Sequence, residues 1–305
     1  MRNTRGSLNV KKRLVLILML SVALLTLIGG CDESTAKVKI GAKNFTESLI
    51  LGEMYALALE NSGFEVERKL NLAGTFAAHE ALKNGDIDLY PEYTATSLFN
   101  IMGVEPQIDS QETFEIVSAY YEEEFDLIWL APSQVNSTPG IVMSRKVSDE
   151  YGISTLTDLQ KHADKIDFAS VPEFEERKDG LAGMSEVYGK FNFKSIKLLD
   201  YGEIYRAVLS DEVQGTVGFG TDGELTNPEW VLLEDDQFLW PPYLVVPVIH
   251  HEALDQDLKI GEILDKITAQ LDTETMRALN AEVDLNQRDY VDVAEEFLKE
   301  KGLIQ

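Results

Sequence analysis

Three groups of residues have types and spacings that could do chemistry. Asp86, Asp88 and Glu92 lie close together, as paired carboxylates for acid–base work or for a metal would. Asp86 and Asp88 would share one face of a strand, but Pro91 breaks that strand, and the residues by themselves read as a strand end carrying solvated acids. Gly218-Phe219-Gly220-Thr221-Asp222-Gly223 has the spacing of a dinucleotide fingerprint after a strand. That fingerprint needs a helix whose N-terminus holds pyrophosphate, and Asn227-Pro228 interrupts the helix almost at once. Of the four histidines only His250 and His251 are close, and neighbours on a strand face opposite ways, which argues against His-rich zinc ligation. A zinc-protease helix, a Walker loop, a nucleophile elbow and a calcium loop are all missing from the sequence. No catalytic residue, cofactor or metal is therefore expected.

The third group is the lone cysteine with its surroundings. One cysteine excludes a disulfide framework and a multi-thiolate metal site. Ahead of it, Arg2, Arg5, Lys11, Lys12 and Arg13 are followed by an apolar run from Leu14 to Ile28, short for a membrane span of about 20 residues and suited to a signal peptide. Leu27-Ile28-Gly29-Gly30-Cys31 resembles a bacterial lipobox. The resemblance implies cleavage after residue 30, lipidation of Cys31, and a tether over 31–36 that holds the remainder outside the cytoplasm. Two acyl signals on one residue give stable anchoring. The 27 basic against 53 acidic residues, a net charge of −26, give no basic footprint for nucleic acid. The 44% apolar content of the 305 residues is enough for a packed core rather than disorder.

The elements that must position any site alternate in type. Val38–Gly41, Phe64–Leu70 and Ile87–Tyr90 read as strands. Between them stand a helix with Thr46 as N-cap and Ile50, Met54 and Leu57 on one face, stopped at Gly63, and a second helix from Thr75 to Lys83. Strand, helix, strand in succession is the signature of a parallel α/β sheet. The pattern recurs: strands at Gly140–Met143, Ile166–Ala169 and Val213–Phe219, with helices at Leu156–His162 and Ile204–Leu209. Ile260, Ile263, Leu264, Ile267 and Leu271 then form one apolar stripe, followed by helices around Met276 and Phe297. Two α/β units, the second inserted into the first, account for the return to helices at the end.

Gly41-Ala42-Lys43-Asn44-Phe45-Thr46-Glu47 and Asn84-Gly85-Asp86-Ile87-Asp88-Leu89-Tyr90-Pro91-Glu92-Tyr93-Thr94-Ala95-Thr96 carry a family resemblance. Glu173-Phe174 with Arg177 and Asp179-Gly180, then Thr221-Asp222-Gly223, and Glu234-Asp235-Asp236 leading to Trp240-Pro241-Pro242-Tyr243 extend it. Over about residues 37–303 the chain resembles the substrate-binding proteins of ABC importers for quaternary amines such as glycine betaine, carnitine and choline. The resemblance implies a two-lobed type II periplasmic-binding-protein fold, with lobe I over 37–135 and 219–305 and lobe II over 136–218. It further implies a ligand held in the cleft, a monomer, and partners in a membrane permease and its ATPase.

A trimethylammonium head is a cation without a hydrogen-bond donor, so aromatic faces suit it, at about 0.5–2 kcal/mol each. The family's cleft positions fall at Tyr93, Phe219 and Tyr243, with Thr96 as a polar contact and Lys43 as a contact for a ligand carboxylate. Where relatives have an asparagine contact and a cage tyrosine, this chain has Ser137 and Pro139. A lost wall would enlarge the pocket for a bulkier betaine, including an imidazole-bearing one. Two other readings stay open from the residues: a secreted enzyme using Asp86, Asp88 and Glu92, and a surface interaction protein that transports nothing.

Overall fold

Val38, Ile40 and Ala42 of the first strand, β1 (Lys37–Lys43), are buried, and so are Gly41 and Lys43 between and beyond them, the near-continuous burial of a strand inside a parallel sheet. In the computed structural model, which describes residues 37–104 and 109–305, β1 lies between β2 (Glu65–Leu72) and β3 (Leu89–Tyr93), parallel to both. β4 (Leu127–Trp129) completes the first sheet, joined to β3 through a strand from the far end of the chain. The expected signal, Cys31 and the tether fall outside the described residues.

The chain next builds a second sheet from β5 (Pro139–Ser144), β6 (Asp167–Ser170), β7 (Ser195–Leu198), β8 (Gly215–Phe219) and β9 (Trp230–Leu232), ordered β7-β6-β8-β5-β9. It returns as β10 (Val245–His250), which runs antiparallel between β3 and β4. Both sheets are therefore mixed rather than purely parallel: β5 is antiparallel to β8 and β9 just as β10 is to β3 and β4. β8 runs through the boundary expected at 218/219 and β9 also pairs in the second sheet, so that sheet draws on 139–232.

The third strand does not stop at Pro91. Pro91 pairs opposite Pro247 of β10, while β1 registers with β3 at Leu89 and β4 with β10 from Val248 onward. Neither proline has to supply a ladder N–H on its far side.

The helix Thr46–Asn61 covers β1, burying Ile50, Leu51, Met54, Tyr55 and Leu59 completely, at about 1.5–3 kcal/mol for each large apolar side chain. Its N-cap is Phe45, in extended conformation, and not Thr46, whose hydroxyl instead donates to Asp284. Gly63, at φ +93°, follows its end. The apolar stripe expected at the end of the chain forms the helix Lys259–Thr268, burying Ile260, Leu264 and Ile267. The helices Thr273–Asp284 and Tyr290–Glu300 also pack on Thr46–Asn61, their N-termini capped by Asp272 and Asp289.

Candidate functional site

Strand ends decide where the site lies. Lys43 ends β1, Tyr93 ends β3 and Phe219 ends β8, while Glu173 and Tyr201 follow closely on β6 and β7. In open α/β sheets the carboxyl ends of the strands are where ligands bind; here the ends of two sheets meet. The six side chains named from the sequence, Lys43, Tyr93, Thr96, Ser137, Phe219 and Tyr243, line one cavity there.

Aromatic rings make much of the wall. Phe45 is the hub: its centroid lies 6.1 Å from Tyr93, 5.8 Å from Tyr201 and 6.4 Å from Phe219, the last nearly coplanar in orientation. Tyr201 and Phe219 are 6.2 Å apart. Tyr243 stands in the same lining, backed by Phe99 at 6.5 Å.

Phe45 and Tyr201 were missed by the sequence reading, although each follows the end of a strand closely. Pro139, expected to mark a missing wall, is not in this lining: it begins β5 opposite Phe219 and faces a separate surface depression. Phe45 and Tyr201 stand in the wall instead.

The cations of the cavity are matched. Lys43 Nζ lies 2.5 Å from Glu92 Oε1 and 3.2 Å from Thr75 Oγ1, and 5.1 Å from the centroid of the Tyr93 ring. Glu92 is fully buried, in contrast to the solvated acid expected, because Lys43, Tyr90 and the Tyr93 backbone N–H all bond to it. The other two acids of that group point elsewhere: Asp86 is exposed, and Asp88 accepts from the Lys39 backbone N–H at 2.7 Å. The three carboxylates thus form no acid–base pair.

Arg177, also in the lining, grips Asp179 through Nε at 2.8 Å and through Nη2. Burial works against the Asp179 charge, yet Arg177 with donors from Tyr243 and Asn100 outweighs it and holds the carboxyl below the usual range. Glu173 behaves alike: burial opposes its ionisation, and Arg177, Lys43 and Thr75 overcome it. Its Oε1 accepts the Thr75 backbone N–H at 2.9 Å. The remaining polar contacts pair Ser137 with Thr221, Oγ to Oγ1 at 2.9 Å, and Arg177 with the Thr96 hydroxyl at 3.5 Å.

The glycines of the apparent dinucleotide fingerprint have another use. A Cβ on Gly218 would stand 2.6 Å from the Tyr205 hydroxyl, and one on Gly223 2.6 Å from the Ala281 backbone. They make close packing possible, and residues 223–226 form only a 3-10 turn. Among the described residues no cluster of three or more His, Cys, Asp or Glu could hold a metal ion, and no helix is long and apolar enough to cross a membrane.

Two α/β lobes, the second inserted into the first, with an aromatic cavity where their strand ends meet, define a two-lobed solute-binding protein of the periplasmic type. The chain belongs to the family described as the substrate binding domain of ABC-type glycine betaine transport systems, whose profile matches residues 36–300. It is 33% identical over 302 residues to a glycine-betaine-binding protein of Pseudomonas aeruginosa, covering 96% of each chain. It is 31% identical over 265 residues to the ergothioneine transport permease/ergothioneine binding protein EgtU of Helicobacter pylori, covering 87% of this chain and 47% of that relative's length. A solved structure of a glycine betaine/carnitine/choline ABC transporter protein superposes with a TM-score of 0.71 at 26% identity, covering 88% of this chain and all of the other.

Proposed function

We propose that this protein captures a quaternary-amine solute of the betaine type between its lobes and delivers it to an ABC permease driven by a separate ATPase. The observation that carries the reading is the group of rings around Phe45, with Tyr93, Tyr201 and Phe219 each within 6.4 Å of it centroid to centroid. Such faces attract a cation that offers no N–H, and pack against its methyl groups. Lys43 and Arg177 do not oppose this, since each is already tied to a buried carboxylate. Tyr93, Phe219, Tyr243, Phe45 and Tyr201 act as walls; Thr96 and Ser137 are polar contacts. Lys43 and Arg177 have donors left for a ligand carboxylate. The protein is a receptor and carries out no reaction on its ligand.

A second ligand, a bulkier imidazole betaine, is favoured by the likeness to the ergothioneine-binding relative. Residues 1–30 direct export and Cys31 carries the lipid, placing the monomeric receptor on the extracytoplasmic face of the membrane.

Calorimetric titration with glycine betaine, proline betaine, carnitine, choline and ergothioneine tests the ligand class. Micromolar or tighter binding of one of them is expected, about −8 kcal/mol or better; silence across the panel overturns the quaternary-amine reading. Cys31→Ala should release the protein from the membrane fraction, and continued retention would remove the anchor.

A further inference from the structure

The two tyrosines that end the cavity's strand and loop, Tyr93 and Tyr243, are backed in the same way and balanced differently. Each donates its hydroxyl to a buried carboxylate that does not itself line the cavity: Tyr93 to Glu47 Oε1 at 2.8 Å, and Tyr243 to Asp179. Asp179 has Arg177 against it. Glu47 is 3% exposed, and its hydrogen-bond partners are all neutral: Tyr93, Thr221, Ser137 and Asn280. Asn280 Nδ2 lies 3.3 Å from Glu47 Oε2 and 2.8 Å from the Thr221 carbonyl.

We propose that Glu47 is a positioning residue which, through the Tyr93 hydroxyl, sets the affinity of the cavity for a cation and makes that affinity depend on pH. The inference rests on the quaternary-amine reading of the cavity. A phenol that donates to a carboxylate is held in one orientation, and its ring face is more negative than that of a free phenol. The charge behind the ring adds to the field in the water-poor cavity. At Tyr243 the corresponding charge is offset by Arg177. A bound cation would favour the ionised form of Glu47, so by linkage protonation of Glu47 must weaken the cation. Burial raises the Glu47 carboxyl above the ordinary glutamate range, against the hydrogen bonds it accepts, which moves this titration toward neutral pH.

The charged groups around Glu47 leave it in that role. Lys43 of β1 is paired with Glu92 of β3. Asp222 and Glu224, before and within the 3-10 turn, and Asp284 of the Thr273–Asp284 helix are all carboxyls that burial raises, so they hold their protons toward the acid end and add negative charge only as the pH climbs. On that same helix Arg277 is turned onto the Gly220 carbonyl. Arg206 and Arg288 line the chamber that Glu47 borders, and Arg288 is bound by Glu282 and Glu296.

The test titrates the whole protein with choline, with glycine betaine and with 3,3-dimethylbutan-1-ol, the uncharged isostere of choline, between about pH 5 and about pH 8. Choline affinity should fall about fivefold or more toward the acid end. Glu47→Gln, which keeps an acceptor for Tyr93, should weaken choline by about the same factor at the alkaline end and flatten the profile, with little effect on the isostere. Tyr93→Phe, which keeps the ring, should flatten the profile too, and the double variant should be no weaker than the single ones. This second variant carries the test if Glu47→Gln does not fold. An unchanged pH profile in the variants, with binding intact, overturns the inference alone. Failure of the unaltered protein to bind choline or glycine betaine at any pH overturns the quaternary-amine reading and this inference with it.

Discussion

Asn100 holds Asp179 across the boundary between the lobes: its Nδ2 donates to Asp179 Oδ1 at 3.0 Å, and its own Oδ1 accepts the Lys178 backbone N–H at 3.2 Å. Asn100 belongs to the lobe of β1 and Asp179 to that of β6, so one amide makes two bonds between the lobes. Glu173 does the same in the other direction at the Thr75 N–H.

Asn100→Ala should therefore raise the cost of closing. A hydrogen bond to a charged group contributes about 1.5–3 kcal/mol, which predicts ligand affinity lower by about tenfold or more. Calorimetry together with small-angle scattering of the free and liganded protein checks this. A variant that binds as tightly as the parent would show that the bridge contributes nothing to closure.

Removing a cage wall should act on the ligand and little on the fold's order. Tyr93→Ala and Tyr201→Ala are each expected to weaken a quaternary amine by about tenfold or more, as loss of one desolvated cation–π face should. Tyr201 gives the cleaner measurement, since no carboxylate bonds to its hydroxyl among the described residues, whereas Tyr93 carries Glu47 as well. Equal affinity in both variants would sink the cage assignment.

The Lys43–Glu92 pair is 2.5 Å apart with both side chains at 3% exposure or less. Lys43→Met would leave an uncompensated buried carboxylate, a loss of about 3–5 kcal/mol and a melting temperature lower by about 10 °C. Lys43→Met combined with Glu92→Gln should recover most of it. Thermal melts followed by circular dichroism decide this, and a single variant that melts with the parent would contradict the pairing.

Stability should fall as pH rises from about 4 toward about 8. Burial pushes the Asp222 carboxyl up to about 8, against bonds from Tyr205 and the Phe219 N–H, and Glu224 up to about 7. A carboxyl raised in the folded state binds its proton more tightly there than in the unfolded chain. Its stabilisation is complete below about pH 4 and is lost as pH climbs through the folded value. Melting temperature should drop by several degrees between about pH 5 and about pH 8, and Asp222→Asn should flatten that slope. A parent protein at its most stable above about pH 8 would refute the assignment.

Six of the ten described strands were legible because periodicity is local, as Val38–Gly41 and the Ile260–Leu271 stripe declare their faces within a turn or two, whereas the short or late strands β4, β7, β9 and β10 were not read. Six of the eleven lining residues, Lys43, Tyr93, Thr96, Ser137, Phe219 and Tyr243, were marked through a family resemblance that does not say what surrounds them. Glu92 was misread, since its acid neighbours Asp86 and Asp88 suggest solvent and its partner Lys43 lies 49 residues away. Pro91 was misread because a proline is tolerated in a strand only when the far ladder does not need its N–H, a matter of register and not of sequence.

By itself, then, the sequence determined an α/β chain with a strongly acidic balance and aromatics next to the ends of strands. Tertiary structure decided that Phe45 and Tyr201 join Tyr93 and Phe219 in one wall, that Lys43 and Arg177 are each neutralised, and that β9 and β10 close the two sheets as antiparallel strands. The reason is physical. Side-chain alternation follows from the backbone of each segment. The meeting of Tyr93 with Glu47, 46 residues away, follows only from packing a helix onto the first sheet, and that of Tyr243 with Asp179, 64 away, only from packing the two lobes together, where burial turns ordinary hydroxyls and carboxylates into specific pairs.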